Sequence, residues 1–122
     1  MKPAMSDASC ELLGGFFTIF AHVTRMRILC ALQQEPRTVT EIANRARLSV
    51  TNTSQHLRLM RDRGAVIAEK HAQSVYYRIA DPRFAQAMLL IREALLERMQ
   101  QKSKVVSAPA PRRGRNTFLQ SA

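Results

Sequence analysis

The 122-residue sequence predicts a mainly α chain that carries one two-stranded β-hairpin. Three features point there. Apolar residues recur at helical spacing through most of the chain. T-V-T-E at 38–41 and D-P at 81–82 carry helix-start signals. S-V-Y-Y-R-I at 74–79 alternates between two faces, as a half-buried strand does.

Taken in order, residues 8–20 and 23–33 read as two helices. The first has Leu12, Leu13, Phe16, Phe17, Ile19 and Phe20, too many for one face, and the second rests on Val23, Met26, Ile28, Leu29 and Leu32. Pro36 breaks the pattern. Thr38 then opens a short helix as a capping box with Glu41, and Val39, Ile42, Ala43 and Ala46 give that helix one apolar face. R-L-S at 47–49 makes a turn, and Ser49 is a good N-cap for the stretch VTNTSQHLRLM at 50–60. That helix runs to about Arg63, with Gly64 where a left-handed cap belongs. The segment AVIAEK at 65–70 can pair with 74–79 across a polar loop at His71–Gln73. Asp81-Pro82 restarts a helix that continues to about Gln101, and a Pro-, Ser- and Arg-rich tail follows.

A short helix, a tight turn and a further helix make a helix-turn-helix, and the hairpin behind it makes a wing. The expected organisation is a flexible start at 1–7, a winged helix-turn-helix domain at 8–101 and a disordered basic tail at 102–122. The last helix carries Phe84, Ala87, Met88, Leu89, Leu90, Ile91, Ala94, Leu95, Leu96 and Met99, more than one face can hold. A second copy of the chain is the simplest cover, so a homodimer through the first and last helices is expected.

Charge narrows the partner. Nineteen Lys and Arg against nine Asp and Glu give a net charge of +10. Half of this surplus sits after Gln101, and the other half in residues 37–78, which hold eight basic and three acidic residues. The basic region at the centre of the chain is thus separate from the tail and implies a polyanion, nucleic acid before an anionic membrane surface. The apolar run near the start follows Asp7 and Glu11, is interrupted by His22, and falls short of the roughly 20 residues that a membrane span needs. No export signal is visible, so a cytoplasmic protein with thiol cysteines, and no membrane partner, is expected.

At 100° per residue, Val50, Thr53, Leu57 and Met60 gather on one side of the 50–60 helix, the side expected to be buried. Thr51, Asn52, Gln55 and Arg58 face away, with Ser54 and His56 on the flanks. Short hydroxyls and amides suit the donors, acceptors and thymine methyls of base edges in the major groove. No carboxylate occurs between Glu41 and Asp62, while Arg45, Arg47, Arg58, Arg61 and Arg63 surround the helix and suit phosphate contacts. Leu59 falls on the outward side and would need cover from the wing.

The segments FAHVTRMRILCAL, TVTEIANRARLSVTNTSQHLRLMRDRGAV and AQSVYYRIAD together resemble the ArsR/SmtB family of winged-helix bacterial repressors, over roughly residues 12–100. The closest pattern is that of its non-metal, BigR/HlyU-like members. The resemblance implies a homodimeric, sequence-specific transcriptional repressor that binds an inverted repeat in double-stranded operator DNA. It also implies that Thr51, Ser54, Gln55 and His56 read DNA and that Lys70, His71 and Gln73 lie at a wing tip that reaches the minor groove or backbone. Val23 replaces a frequent Pro, Arg47 a frequent Gly in the turn, and Val50 a frequent Gln.

The family's metal-sensing cysteines fall at Thr38 and Thr40 here, and the last helix has no His or Cys. Glu93 and Glu97 read as a solvated face, and His22, His56 and His71 fit no ligand spacing, so no metal and no cofactor is expected. Cys30 lies where the sulfide- and oxidant-responsive members carry a switch cysteine, but their second cysteine in the last helix is missing. Cys10 is then the candidate partner, and a link would need the two Cα atoms within about 7 Å. The alternative is that Cys30 is a buried core residue. A nonspecific DNA-coating or protein-interaction module, or a metal-responsive repressor with an atypical site, are the competing functions. No phosphate loop, metal-ligand cluster or nucleophile–base arrangement suggests an enzyme.

Overall fold

The structure is a computed structural model that describes residues 4–106. Its elements are α1 (Asp7–Phe20), α2 (Val23–Ala31), α3 (Val39–Ala46), α4 (Val50–Asp62), β1 (Val66–His71), β2 (Ser74–Ile79) and α5 (Pro82–Val106). One unit ends at Asp81 and α5 belongs to a second. The element order is the expected one. α5 runs past Gln101 to Val106, and α2 stops at Ala31 rather than Gln33. The tail expected at 102–122 therefore begins inside a helix, and residues 107–122 lie outside the described residues.

Local chemistry sets the helix ends. The Glu41 N–H donates to Thr38 Oγ1 at 3.3 Å, and the Thr38 N–H donates to Glu41 Oε1 at 3.0 Å, which completes the capping box of α3. Ser49 caps α4 by accepting the Asn52 N–H at 3.0 Å. Both helices of the helix-turn-helix end with the same paired closure. The Leu48 N–H reaches the Ala43 carbonyl and the Arg47 N–H that of Asn44; the Ala65 N–H reaches Met60 and the Gly64 N–H reaches Arg61. That closure needs a left-handed residue, and Gly64 supplies it at φ 83° without strain. Arg47 supplies it at φ 61° with a side chain attached, which costs about 1 kcal/mol or more.

In the first unit α2, α3, α4 and the hairpin enclose one core. Ile28, Leu29 and Leu32 come from α2, Ile42, Ala43 and Ala46 from α3, and Leu57 and Met60 from α4, with Val66 and Ile79 closing it from the strands. α1 joins α2 at an 84° bend and contributes the buried Ile19. β1 and β2 pair antiparallel from Val66↔Ile79 to His71↔Ser74, which leaves a two-residue loop whose Ala72 sits at φ 56°.

One tie was not foreseen. Arg37 forms an isolated antiparallel bridge with Tyr77: its N–H donates to the Tyr77 carbonyl at 3.0 Å and its carbonyl accepts the Tyr77 N–H at 2.8 Å. The Arg37 side chain is 8% exposed as a residue, donates from Nε to the Ala31 carbonyl at 2.7 Å, and pairs with Glu35 at 3.3 Å. A buried guanidinium thus satisfies a carbonyl at the C-terminal end of α2, where a positive charge is favoured. Although Arg37 counts toward the basic region, it is a structural residue.

Arg37→Met keeps the bulk but leaves the Ala31 carbonyl without its donor. Urea unfolding is expected to show a loss of about 1–3 kcal/mol; a loss under roughly 0.5 kcal/mol would mean that the guanidinium adds little.

Candidate nucleic-acid interface

α4 has two chemically separate sides. Thr53, Leu57 and Met60, spaced four and three residues apart, are all fully buried. The Thr53 hydroxyl is satisfied within the helix by donating to the Ser49 carbonyl at 2.8 Å. Val50 departs from expectation: it is 47% exposed, not part of the anchoring side. It is the first residue of the helix, and the buried side begins only at Thr53. Leu59, expected on the outward side, is half-buried, and α4 packs against β1.

Thr51, Asn52, Ser54, Gln55 and Arg58 are exposed on the other side. None of these side chains takes an intrachain hydrogen bond among the described residues, although the Asn52 backbone is used by the cap. Hydroxyls and amides left unpaired on one helix face are free to bond an external partner. Arg45, Arg47, Arg61 and Arg63 are likewise exposed around the helix. Two basic residues of this unit have carboxylate partners away from α4: Arg37 with Glu35, and Arg78 with Glu69 at 3.3 Å across the wing.

Lys70, His71 and Gln73 stand exposed at the far end of the hairpin, where the His71 and Tyr76 rings meet edge-on at 5.8 Å. The wing tip therefore projects a cation, an imidazole and an amide together.

His56 occupies a half-buried flank of α4 rather than its exposed face. Its ring lies 5.1 Å from that of His22, centroid to centroid, at a tilt of 53°. These two histidines are distant in sequence, and no sequence spacing signalled their meeting. Burial, then the nearby His22 and Arg25, hold the His56 imidazole below its usual range, favouring the neutral ring.

Cys10 and Cys30 are both free thiols and both exposed. The reading of Cys30 as a core residue is therefore corrected: it lies on α2 beside Leu29 and Ala31, which take the buried positions. Among the described residues, no group of three or more His, Cys, Asp or Glu is arranged to hold a metal ion. No single described helix is long and apolar enough to cross a membrane.

Known proteins share this arrangement. Residues 22–68, from the start of α2 into β1, match the profile of the bacterial regulatory protein family arsR. The HTH-type transcriptional regulator YgaV of Escherichia coli is 36% identical over 77 residues, which cover 62% of this chain and 78% of that protein. The crystal structure of Rv0081 from Mycobacterium tuberculosis superposes with a TM-score of 0.72 at 30% identity, covering 80% of this chain and 99% of that one. The solution structure of Mb0332 from Mycobacterium bovis, described as a homodimeric winged helix-turn-helix DNA-binding domain, gives a TM-score of 0.72 at 26% identity and covers 82% and 95%. The chain belongs to the arsR family of bacterial regulatory proteins, DNA-binding transcriptional regulators built on the winged helix-turn-helix.

Proposed function

We propose that the protein represses transcription by binding an inverted-repeat operator as a homodimer, with α4 in the major groove and the hairpin as its wing. The observation that carries this reading is the division of α4 into a fully buried anchoring side and an exposed side whose hydroxyls and amides have no intrachain partner. Thr51, Asn52, Ser54 and Gln55 read base edges, Arg45, Arg58 and Arg61 meet phosphates, and Lys70, His71 and Gln73 extend the contact from the wing. Val50 joins the reading set, because an exposed methyl pair at the start of the helix suits a thymine methyl. The chain acts by binding rather than by catalysis, in the cytoplasm where bacterial DNA lies.

The dimer is supported by apolar surface that a lone chain leaves in water. Leu12 on α1 is 75% exposed and Leu90 on α5 is 65% exposed, with Phe17, Leu89, Ile91 and Met99 also exposed. A second copy would remove this surface from water at about 25 cal/mol per Å², and a relative with this fold is described as homodimeric. A thiol response is supported by the exposure of both Cys10 and Cys30, since an accessible thiolate is the nucleophile that attacks peroxides and sulfane sulfur.

Four measurements test these assignments. On an operator selected from random DNA, Gln55→Ala is expected to lower discrimination by about 1–3 kcal/mol, whereas Arg61→Ala weakens all sequences alike and flattens the salt slope by about one. Replacing operator thymines with uracil should weaken the wild type and leave Val50→Ala unaffected; equal losses in both would remove Val50 from the reading set. Leu90→Glu is expected to convert the dimer to monomer in sedimentation, and an unchanged dimer would place the interface elsewhere. Treatment with peroxide or polysulfide should weaken operator binding in the wild type and not in Cys30→Ser; identical responses would exclude the thiol switch.

A further inference from the structure

The meeting of His22, Arg25 and His56 is not explained by base reading. His22 precedes α2 with an exposed ring that makes no capping hydrogen bond. Arg25 lies three residues on, so both side chains occupy neighbouring positions on α2. The Arg25 Nη1 donates to the Thr18 carbonyl at 3.2 Å, which fixes the guanidinium at the end of α1. Its Nε is buried and has no hydrogen-bond partner. From α4, His56 closes the group with its ring 5.1 Å from that of His22. The start of α2 and α4 thus bring three nitrogen-bearing side chains together, one always charged and two able to be, beside the Thr18 carbonyl of α1.

Such a group is suited to an anion. The charges that bear on His56 are His22 and Arg25, both cationic in kind. A metal ion would be repelled by the guanidinium, whereas a phosphate is attracted to the guanidinium and offsets the repulsion that His22 and Arg25 exert on His56. Position identifies which phosphate. A helix about 10–12 Å across fills a major groove roughly 12 Å wide, so its leading face meets bases and its flanks meet the backbone. His56 is on a flank, and His22 stands beside it on another helix.

We propose that His22, Arg25 and His56 hold one backbone phosphate of the DNA, and that binding draws a proton onto the imidazole pair. The inference rests on the reading of α4 as the groove helix and moves His56 from the base-reading set to the backbone. In the free protein the neutral His56 ring is favoured, so stability is full above about pH 6.5 and declines as the pH falls below it. Beside a phosphate the imidazolium is favoured, so DNA affinity rises through the same fall in pH. Acidification therefore loosens the free fold and tightens the complex.

The test is fluorescence anisotropy of the full chain on a fluorescein-labelled random-sequence duplex, at fixed salt, from about pH 7.5 to about pH 5.5. The wild type is expected to tighten roughly tenfold, the equivalent of one pKa unit between free and bound states. Its salt slope should steepen by about one phosphate contact at the lower pH. The His22→Gln/His56→Gln variant should lose most of that gain, and His22→Gln alone, at an exposed position, serves if the pair fails to fold. His71 is present in every protein compared, so the difference belongs to the pair. A wild-type affinity that is flat or falls on acidification would overturn the proposal, as would a variant with the wild-type pH profile. Absence of DNA binding at every pH would overturn the groove-helix reading as well.

Discussion

The buried guanidinium of Arg37 is the joint on which the presentation of α4 depends. Its backbone pairs with Tyr77, its Nε holds the Ala31 carbonyl, and Thr38 beside it caps α3. Three directions of chain are therefore set within two residues: the exit of α2, the start of α3 and the inner edge of the wing. α4 follows α3 after three residues and packs against β1, so its placement is inherited from that joint. A charged group in this position is costly to desolvate unless its donors are used, and here Nε is used at 2.7 Å while Nη2 reaches Glu35 at 3.3 Å.

The same residue type does the opposite work a few ångströms of sequence later. Arg45, Arg47, Arg58, Arg61 and Arg63 are exposed and without carboxylate partners among the described residues. Unpaired surface cations repel one another weakly in water, where exposed pairs and repulsions amount to about 1 kcal/mol or less. Against a phosphate backbone they gain counterion release, which sums over contacts. The surplus charge is thus stored cheaply in the free protein and becomes useful on one kind of partner.

What could be read in advance was what is local. The capping box at Thr38 and Glu41, the Ser49 cap and the left-handed Gly64 each depend on residues within four positions of one another, and each stands where the sequence placed it. The strand at 74–79 forms as expected, but its burial grades from exposed Ser74 and Val75 to buried Ile79 instead of alternating. The buried triplet of Thr53, Leu57 and Met60 followed from helical phase alone. Phase failed at Val50, because the angle around a helix does not say how far toward its first residue the core extends. Arg37, His22 and Arg25 were missed for a related reason: a lone basic residue carries no sequence mark that tells a core joint from a surface charge. Cys30 shows the converse, since a small apolar-like residue in an apolar run faced outward once Leu29 and Ala31 had taken the core.

Arg47 joins these two themes, because it is both a backbone device and a charge. The turn between α3 and α4 requires a left-handed residue at this position, and its backbone closes α3 through the Asn44 and Ala43 carbonyls. Glycine would adopt φ 61° without penalty, while a residue with a Cβ is strained there by about 1 kcal/mol or somewhat more. Part of that strain is offset in the unfolded chain, where glycine has more conformational freedom to lose than arginine. The remainder is small beside a core whose individual side chains each contribute about 2–5 kcal/mol. The fold can therefore carry an arginine in its tightest turn, two residues ahead of the cap of α4, and the side chain remains exposed at the end of the helix where the reading residues begin.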